Sequence, residues 1–340
     1  MIGAALAAAL LAGAPTSPEP RSLIYCGLDR AECPDGTPRA TLKRFRTTDA
    51  ESLAAKGVEG VRVFTIDGHD RYLPLVGVLS RAGGPAMVEI GEPDAAPLPP
   101  TPAGEAAREA AAKLTALAVA SRPFGGYDPQ AVCLHTWTFA IEVIGPNGVT
   151  ERFRDTCAPD DLAGAAQALS LAAANNLPGC ERLEPEPYDY IPAFILRACL
   201  RLGETRRAAA ADVANSWNRS PLRDGSPLGI PPGDWLEATA VLEWPDKPPA
   251  RGREAVDRFW MTAADRDPQA RGALMRPNTA FAGLLGVEAR SDVQARATGQ
   301  IVLDTTKGMK VAPFRQDWTR SADGRWRLAR WTVGAFEARD

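Results

Sequence analysis

The sequence predicts an α+β protein in two parts, each combining helices with antiparallel strands. Three observations carry this. Apolar strands with a period of two recur around Asp-Gly and Asn-Gly turns, as hairpins require. Ala-rich helical stretches stand between them. Near residue 203 the pattern changes, to a helix, a Pro/Gly-rich loop and long tryptophan-bearing strands. A length of 340 residues suits two domains with their own cores. The expected divisions are a leader at 1–20, an α+β domain with six cysteines at 21–202, and a second domain at 203–340.

The leader reads "MIGAALAAALLAGAPTSPEP". Ile2 to Leu11 has the length of a signal-peptide core and is too short to span a bilayer. Ala12-Gly13-Ala14 supplies an A-x-A cleavage pattern, although no basic residue precedes Arg21. We expect export to a periplasmic or secreted location, without stable membrane insertion.

Cys26 and Cys33 follow in a loop region. "GVRVFTIDGHDRYLPLVGVLS" then reads as two strands around Asp67-Gly68, with Val61 and Val63 alternating with polar neighbours as in a half-buried strand. Asp67, His69 and Asp70 carry donors that could hold a divalent cation. Asp-Gly between strands is a hairpin signal, and the turn is the reading adopted. "PAMVEIG" is a third strand. A Pro-rich connector leads to a helix over about 103–121, with Thr101 as its N-cap.

Cys133 to Cys157 encloses the next hairpin. Pro146-Asn147-Gly148 suits a three-residue loop, which pairs Gly145 with Val149, Ile141 with Phe153 and Glu142 with Arg152. Trp137, Phe139, Ile141 and Val143 then share one face. His135, at its outer end, reads as a strand-end histidine, not a ligand. This register places Cys157 opposite Trp137, so a Cys133–Cys157 bridge needs a bend before Trp137.

"APDDLAGAAQALSLAAANNLPG" is a helix with Leu162, Ala165, Ala166, Leu169 and Ala173 on one stripe, ended by Pro178 and Gly179. A further helix follows Pro192. The six cysteines lack C-x-x-C spacing, so an exported chain uses them as disulfides. Nearest-neighbour pairing gives Cys26–Cys33, Cys133–Cys157 and Cys180–Cys199. No metal and no cofactor is expected.

In the second part, "GETRRAAAADVANSWN" is a helix with Ala210, Val213 and Trp217 on one side. A loop, an apolar strand ending Glu243-Trp244-Pro245, then Gly252-Arg253-Glu254-Ala255 and an amphipathic helix follow. That helix buries Val256, Phe259, Trp260 and Ala263. The tail "FRQDWTRSADGRWRLARWTVGAF" turns at Ala322-Asp323-Gly324. This order resembles the nuclear transport factor 2-like (NTF2-like) superfamily in its SnoaL-like or ketosteroid-isomerase-like branch, over roughly residues 203 to 338. The resemblance implies a strongly curved antiparallel sheet wrapped around helices as a cone, and allows a homodimer through that sheet.

Pairing Trp318 with Trp326 aligns Phe314, Gln316, Trp318, Trp326, Leu328 and Arg330 inward, and sets Asp317 against Arg327 on the other face. Ala295, Ala297 and Gly299 join the inner face, leaving room for a cavity or for close approach of a helix. The pocket candidates are Phe259, Trp260, Gln316, Trp318 and Arg330. No histidine or tyrosine follows Tyr190, so enzymes of this kind would lack those proton carriers here. The expectation is a non-catalytic protein that binds a small molecule or docks a protein. The alternative is a hydrolase or isomerase using Asp257 or Asp304 with Arg330. A formal net charge of -3 gives no case for nucleic acid as partner.

Overall fold

A computed structural model describes residues 44–67, 72–122, 137–156, 161–184, 192–220, 234–264, 280–305 and 308–339. Mixed helices and antiparallel sheets make up the chain, in two compact units. The first takes in the described residues up to Pro85, Glu89–Pro100, and those from Thr115 to Ala163. The second takes Ala86–Val88, Thr101–Leu114 and the described residues from Gly164 onward, so residue 203 falls inside it. The leader, Cys26, Cys33, His69, Asp70, Cys133, His135 and Cys157 lie outside the described residues.

In the first part, α1 (Ala50–Ala55) begins at Asp49, whose carboxylate accepts the Ser52 N–H at 2.7 Å. Strands β1 (Val58–Ile66), β2 (Tyr72–Arg81), β3 (Met87–Gly91), β4 (Thr101–Pro102), β5 (Thr138–Gly145) and β6 (Gly148–Asp155) form one sheet, ordered β4-β3-β2-β1-β5-β6. Strand β1 is not half-exposed as its alternation implies. Residues 61–66 are all buried, Arg62 and Thr65 included, because both faces of this central strand are covered. Phe45, Phe64, Ile66, Leu75 and Ala140 form a core cluster on one face.

Helix α2 (Glu105–Ala120) starts later than expected. Thr101 belongs to β4 and is not its N-cap; Asn176 instead accepts the Gly104 N–H at 2.7 Å. The β5–β6 register also differs. Gly148, at φ +112°, pairs with Gly145, so the loop holds two residues and every later pair shifts by one. Ile141 faces Arg152, Ala140 faces Phe153, and Glu142 faces Glu151 instead of Arg152. Glu142 finds its counter-charge on the other side, on β1.

In the second unit, α3 (Leu162–Asn175) buries the predicted stripe. A short 3-10 turn (Cys180–Arg182) follows Gly179, whose φ of +89° suits only glycine there. Helix α4 (Pro192–Leu200) returns Cys199 to Cys180 in a disulfide with a Cα–Cα distance of 5.5 Å. Helix α5 (Arg207–Asn218) carries Ala210, Val213 and Trp217 fully buried.

The remaining elements are β7 (Leu236–Glu243), β8 (Ala250–Arg251), α6 (Arg253–Ala264), β9 (Ala280–Ala289), β10 (Gln294–Thr305), β11 (Gly308–Arg320), β12 (Trp326–Val333) and β13 (Glu337–Arg339). Their sheet runs β8-β7-β12-β11-β10-β9, with β13 on β11. All of these pairs are antiparallel except β12 with β7.

Candidate functional site

The site is built where α5 meets the inner face of β10, β11 and β12. Along β10, Ala295, Ala297 and Gly299 stand opposite Trp318, Gln316 and Phe314. Small residues thus face large ones across the ladder. At Gly299 a Cβ would come within 2.3 Å of both Gly283 O and Phe314 Cζ. The room left by these residues is taken by a helix. Trp217 of α5 sits 6.2 Å from Phe314, 6.3 Å from Trp318 and 5.3 Å from Trp331, ring to ring. Its indole N–H donates to Ala282 O at 3.0 Å. Edge-to-face contacts dominate, the arrangement that aromatic quadrupoles favour.

Gln316 is the polar residue at the centre of this aromatic group, with no exposed surface. Trp318 Nε1 donates to Gln316 Oε1 at 3.1 Å. An indole can only donate, so this bond fixes which end of the amide is oxygen. The amide nitrogen, Nε2, is then buried with no acceptor among the described residues. Trp326, also inward and 4% exposed, leaves its indole Nε1 without one too. Buried donors left unpaired are costly and uncommon.

Arg330 does not join them. The β11–β12 register is Trp318 with Leu328 and Arg320 with Trp326, and a bulge then puts Arg330 opposite Asp317. Ala329 is the extra residue, so the side chains beyond it swap faces. Trp331 and Val333 turn inward while Arg330 points out, 3.1 Å from Glu243. Asp317 and Arg327 are separated before the bulge: Trp318 meets Leu328 and not Trp326, a two-residue offset that sets Arg327 against Thr319, so Asp317 pairs with Arg296 at 2.9 Å and Arg327 with Asp323 at 2.6 Å.

Phe259 belongs to a different group. It lies 5.6 Å from Trp244, which lies 5.2 Å from Phe336. The Trp260 and Asp304 side chains lie outside the described residues. Asp257 on α6 is half-buried, and burial pushes its carboxyl above the usual range. The predicted set therefore divides. Gln316 and Trp318 are bonded to each other, Phe259 is elsewhere, and Arg330 is on the opposite face.

Sequence reasoning missed a second polar cluster, in the first unit. Arg62 is 1% exposed; its Nε lies 3.0 Å from Glu89, its Nη1 3.6 Å from Glu142. It also donates to Thr48 O at 2.7 Å and Thr47 Oγ1 at 3.1 Å. Gly77 lies between Arg62 and Glu89, where a Cβ would come within 3.0 Å of Arg62 Cγ. The available signal was one charged residue inside each of two apolar runs, "VRVF" and "AIEVI". These bonds fasten the chain before α1 to the sheet, which is a structural task.

No protein-family model matches the chain, and no curated protein does. Solved structures do match part of it. An NTF2-like protein of unknown function from Shewanella oneidensis MR-1 is 16% identical over 36% of this chain and 89% of its own, with a TM-score of 0.26. An NTF2-like protein with a cystatin-like fold from Novosphingobium aromaticivorans is 20% identical over 36% and 70%, at 0.23. Bal32a, from a soil-derived mobile gene cassette, is 15% identical over 38% and 91%, at 0.28.

Proposed function

We propose that this protein is a non-catalytic binder whose second unit holds a small apolar molecule on the inner face of its NTF2-like sheet, in the place that Trp217 of α5 otherwise fills. The carrying observation is the character of that face: Trp217, Phe314, Trp318 and Trp331 in contact, with one neutral amide among them. Apolar enclosure with few placed polar groups is what small-molecule sites have in common. Arg330 and Arg296 are ion-paired on the other face, and Arg320, opposite Trp326, is exposed with its Nε on Gly324 O at 2.9 Å, so the buried part of the described inner face holds no guanidinium. The Cys180–Cys199 bridge supports export to an oxidising compartment.

A thermal-shift screen tests this with lipids, steroid-like compounds and carboxylates. Binding to the folded state alone raises the melting temperature. Apolar compounds should stabilise and simple carboxylates should not. No stabilisation by any compound overturns the proposal. The competing reading, an NTF2-like hydrolase or isomerase, is favoured by Asp257, whose desolvated carboxyl would suit a general acid. It proceeds without Arg330, and hydrolysis of ester or epoxide probes that Asp257→Asn abolishes would establish it.

A further inference from the structure

Two arginines alternate with their neighbours along β6, the edge strand of the first sheet. Thr150, Arg152 and Arg154 share one face of it, opposite Val143, Ile141 and Phe139 of β5. Neither strand carries an acid on that face among the described residues; Glu142 and Glu151 project from the other. Arg152 Nη1 donates to Glu151 O at 2.7 Å and Arg154 Nη1 to Phe153 O at 2.6 Å, so each guanidinium folds back by one residue. The two cations are thereby held one strand period apart, about 7 Å. Arg154 is 3% exposed, and its Nη2 donates to Arg122 O at 2.9 Å. Arg152 is less engaged. It is half-buried, its Nε has no acceptor among the described residues, and its Nη2 makes no bond and reaches the surface. Nε and Nη2 form one edge of the guanidinium, the fork that grips two oxygens at once.

Charge narrows the ligand. Burial presses the Arg152 guanidinium below its usual pKa and the Arg154 charge presses it further, with no carboxylate working against them. Two cations desolvated side by side are costly until an anion joins them. A carboxylate would fill the fork and offset one charge. A phosphate group carries up to two charges and a third oxygen, which the half-buried Thr150 hydroxyl, one period before Arg152, is placed to meet. We infer that Thr150, Arg152 and Arg154 form a binding site for a phosphate group, with Arg152 Nε and Nη2 on two of its oxygens and Arg154 acting through its charge. The site belongs to the first unit and does not depend on the apolar binding proposed for the second.

Isothermal titration calorimetry of the full chain tests this with inorganic phosphate, phenyl phosphate and acetate, at low salt and about pH 8, where phosphates are dianions. Inorganic phosphate should bind with a dissociation constant of about 1 mM or tighter, the range two charge-assisted hydrogen bonds give, and acetate about tenfold more weakly. Phenyl phosphate binding at least as tightly as phosphate assigns the site to the phosphate end of a larger molecule; binding of inorganic phosphate alone assigns it to the free ion. Arg152→Lys keeps the charge and removes the fork, so it should weaken phosphate binding about tenfold, and Arg152→Met should weaken it further. Thr150→Val keeps the branched shape and should weaken phosphate binding about threefold while leaving acetate unchanged. A urea midpoint for each variant shows that it is folded, and Thr150→Val carries the test if the Arg152 variants are not. No binding of phosphate at millimolar concentration overturns the inference. So does acetate binding as tightly as phosphate, or a phosphate affinity that the folded variants leave unchanged.

Discussion

Arg62 shows what one misplaced-looking residue does. A guanidinium at 1% exposure persists only because two carboxylates and two threonine oxygens surround it. Removing one partner of such a buried pair leaves the rest uncompensated, at a cost of about 3–5 kcal/mol. Arg62→Leu should lower the urea midpoint of the first unit accordingly, and adding Glu142→Gln should recover part of the loss. A midpoint unchanged within error would mean the cluster is solvated. At the surface the arithmetic differs. Asp323 accepts from the Arg327 guanidinium and then from the Arg325 N–H, which together lower its carboxyl from 3.8 to about 2. Its folded value lies below its unfolded one, so its stabilisation is present above pH ~4 and fades as pH falls toward about 2. A carboxyl titration by NMR should place the Asp323 midpoint near 2, and Arg327→Ala should return it toward 3.8.

At the scale of elements, the sheets depend on where an extra residue is accommodated. The order of strands and helices was readable because apolar period and turn residues act locally, and α3 buries the stripe its sequence shows. Register was not. Gly148 and Ala329 each change the pairing by one residue, and a one-residue change exchanges which partners meet or which face a side chain takes. Nothing local in "RWRLARW" marks Ala329 as the bulge, so strand alternation carries Gln316 to the buried face but gives no sign that Arg330, beyond the bulge, takes the other one. Free edges are a second long-range matter. Thr156 N–H donates to Trp137 O, so the ladder turns the backbone N–H and C=O of Arg152 and Arg154 toward β5 and those of Glu151 and Phe153 away from it. Arg152 and Arg154 each donate to those outward carbonyls, at 2.7 and 2.6 Å. On β9, Trp217 and Arg201 likewise cap Ala282 O and Leu284 O. Both sheets thereby cover acceptors that would otherwise recruit another strand. Two glycines give opposite expectations. Gly299→Ala meets a carbonyl and a ring at 2.3 Å and should destabilise by about 1–3 kcal/mol. Gly164→Ala, inside α3 with nothing within 4 Å, should stabilise by about 0.5–1 kcal/mol. Denaturation of both variants under one condition tests the pair.

For the whole molecule, covalent and packing constraints fall on different units. The Cys180–Cys199 bridge closes a separation of 19 residues between α3 and α5, and both sulfurs are buried, at 1% and 0% exposure. In the chain-entropy account a loop of that length contributes about 3 kcal/mol by restricting the unfolded chain. The contribution should appear in the second unit, where both cysteines lie, whereas the Arg62 cluster belongs to the first. Two spectroscopic signals separate these effects: tryptophan fluorescence in a Trp137→Phe background for the second unit, which holds Trp217, Trp318 and Trp331, and the fluorine NMR resonance of fluorotyrosine at Tyr72, assigned with Tyr72→Phe, for the first. Cys180→Ala with Cys199→Ala should move the fluorescence midpoint and leave the Tyr72 signal in place. Alanine is the useful replacement, since serine would add a buried hydroxyl with its own penalty. Burial also implies that a mild thiol reductant leaves the bridge intact in the folded protein and cuts it once urea opens the unit. Peptide mapping without reductant should recover Cys180 joined to Cys199. Finding both as free thiols in protein isolated from its native compartment would remove the bridge, and with it the main structural support for export.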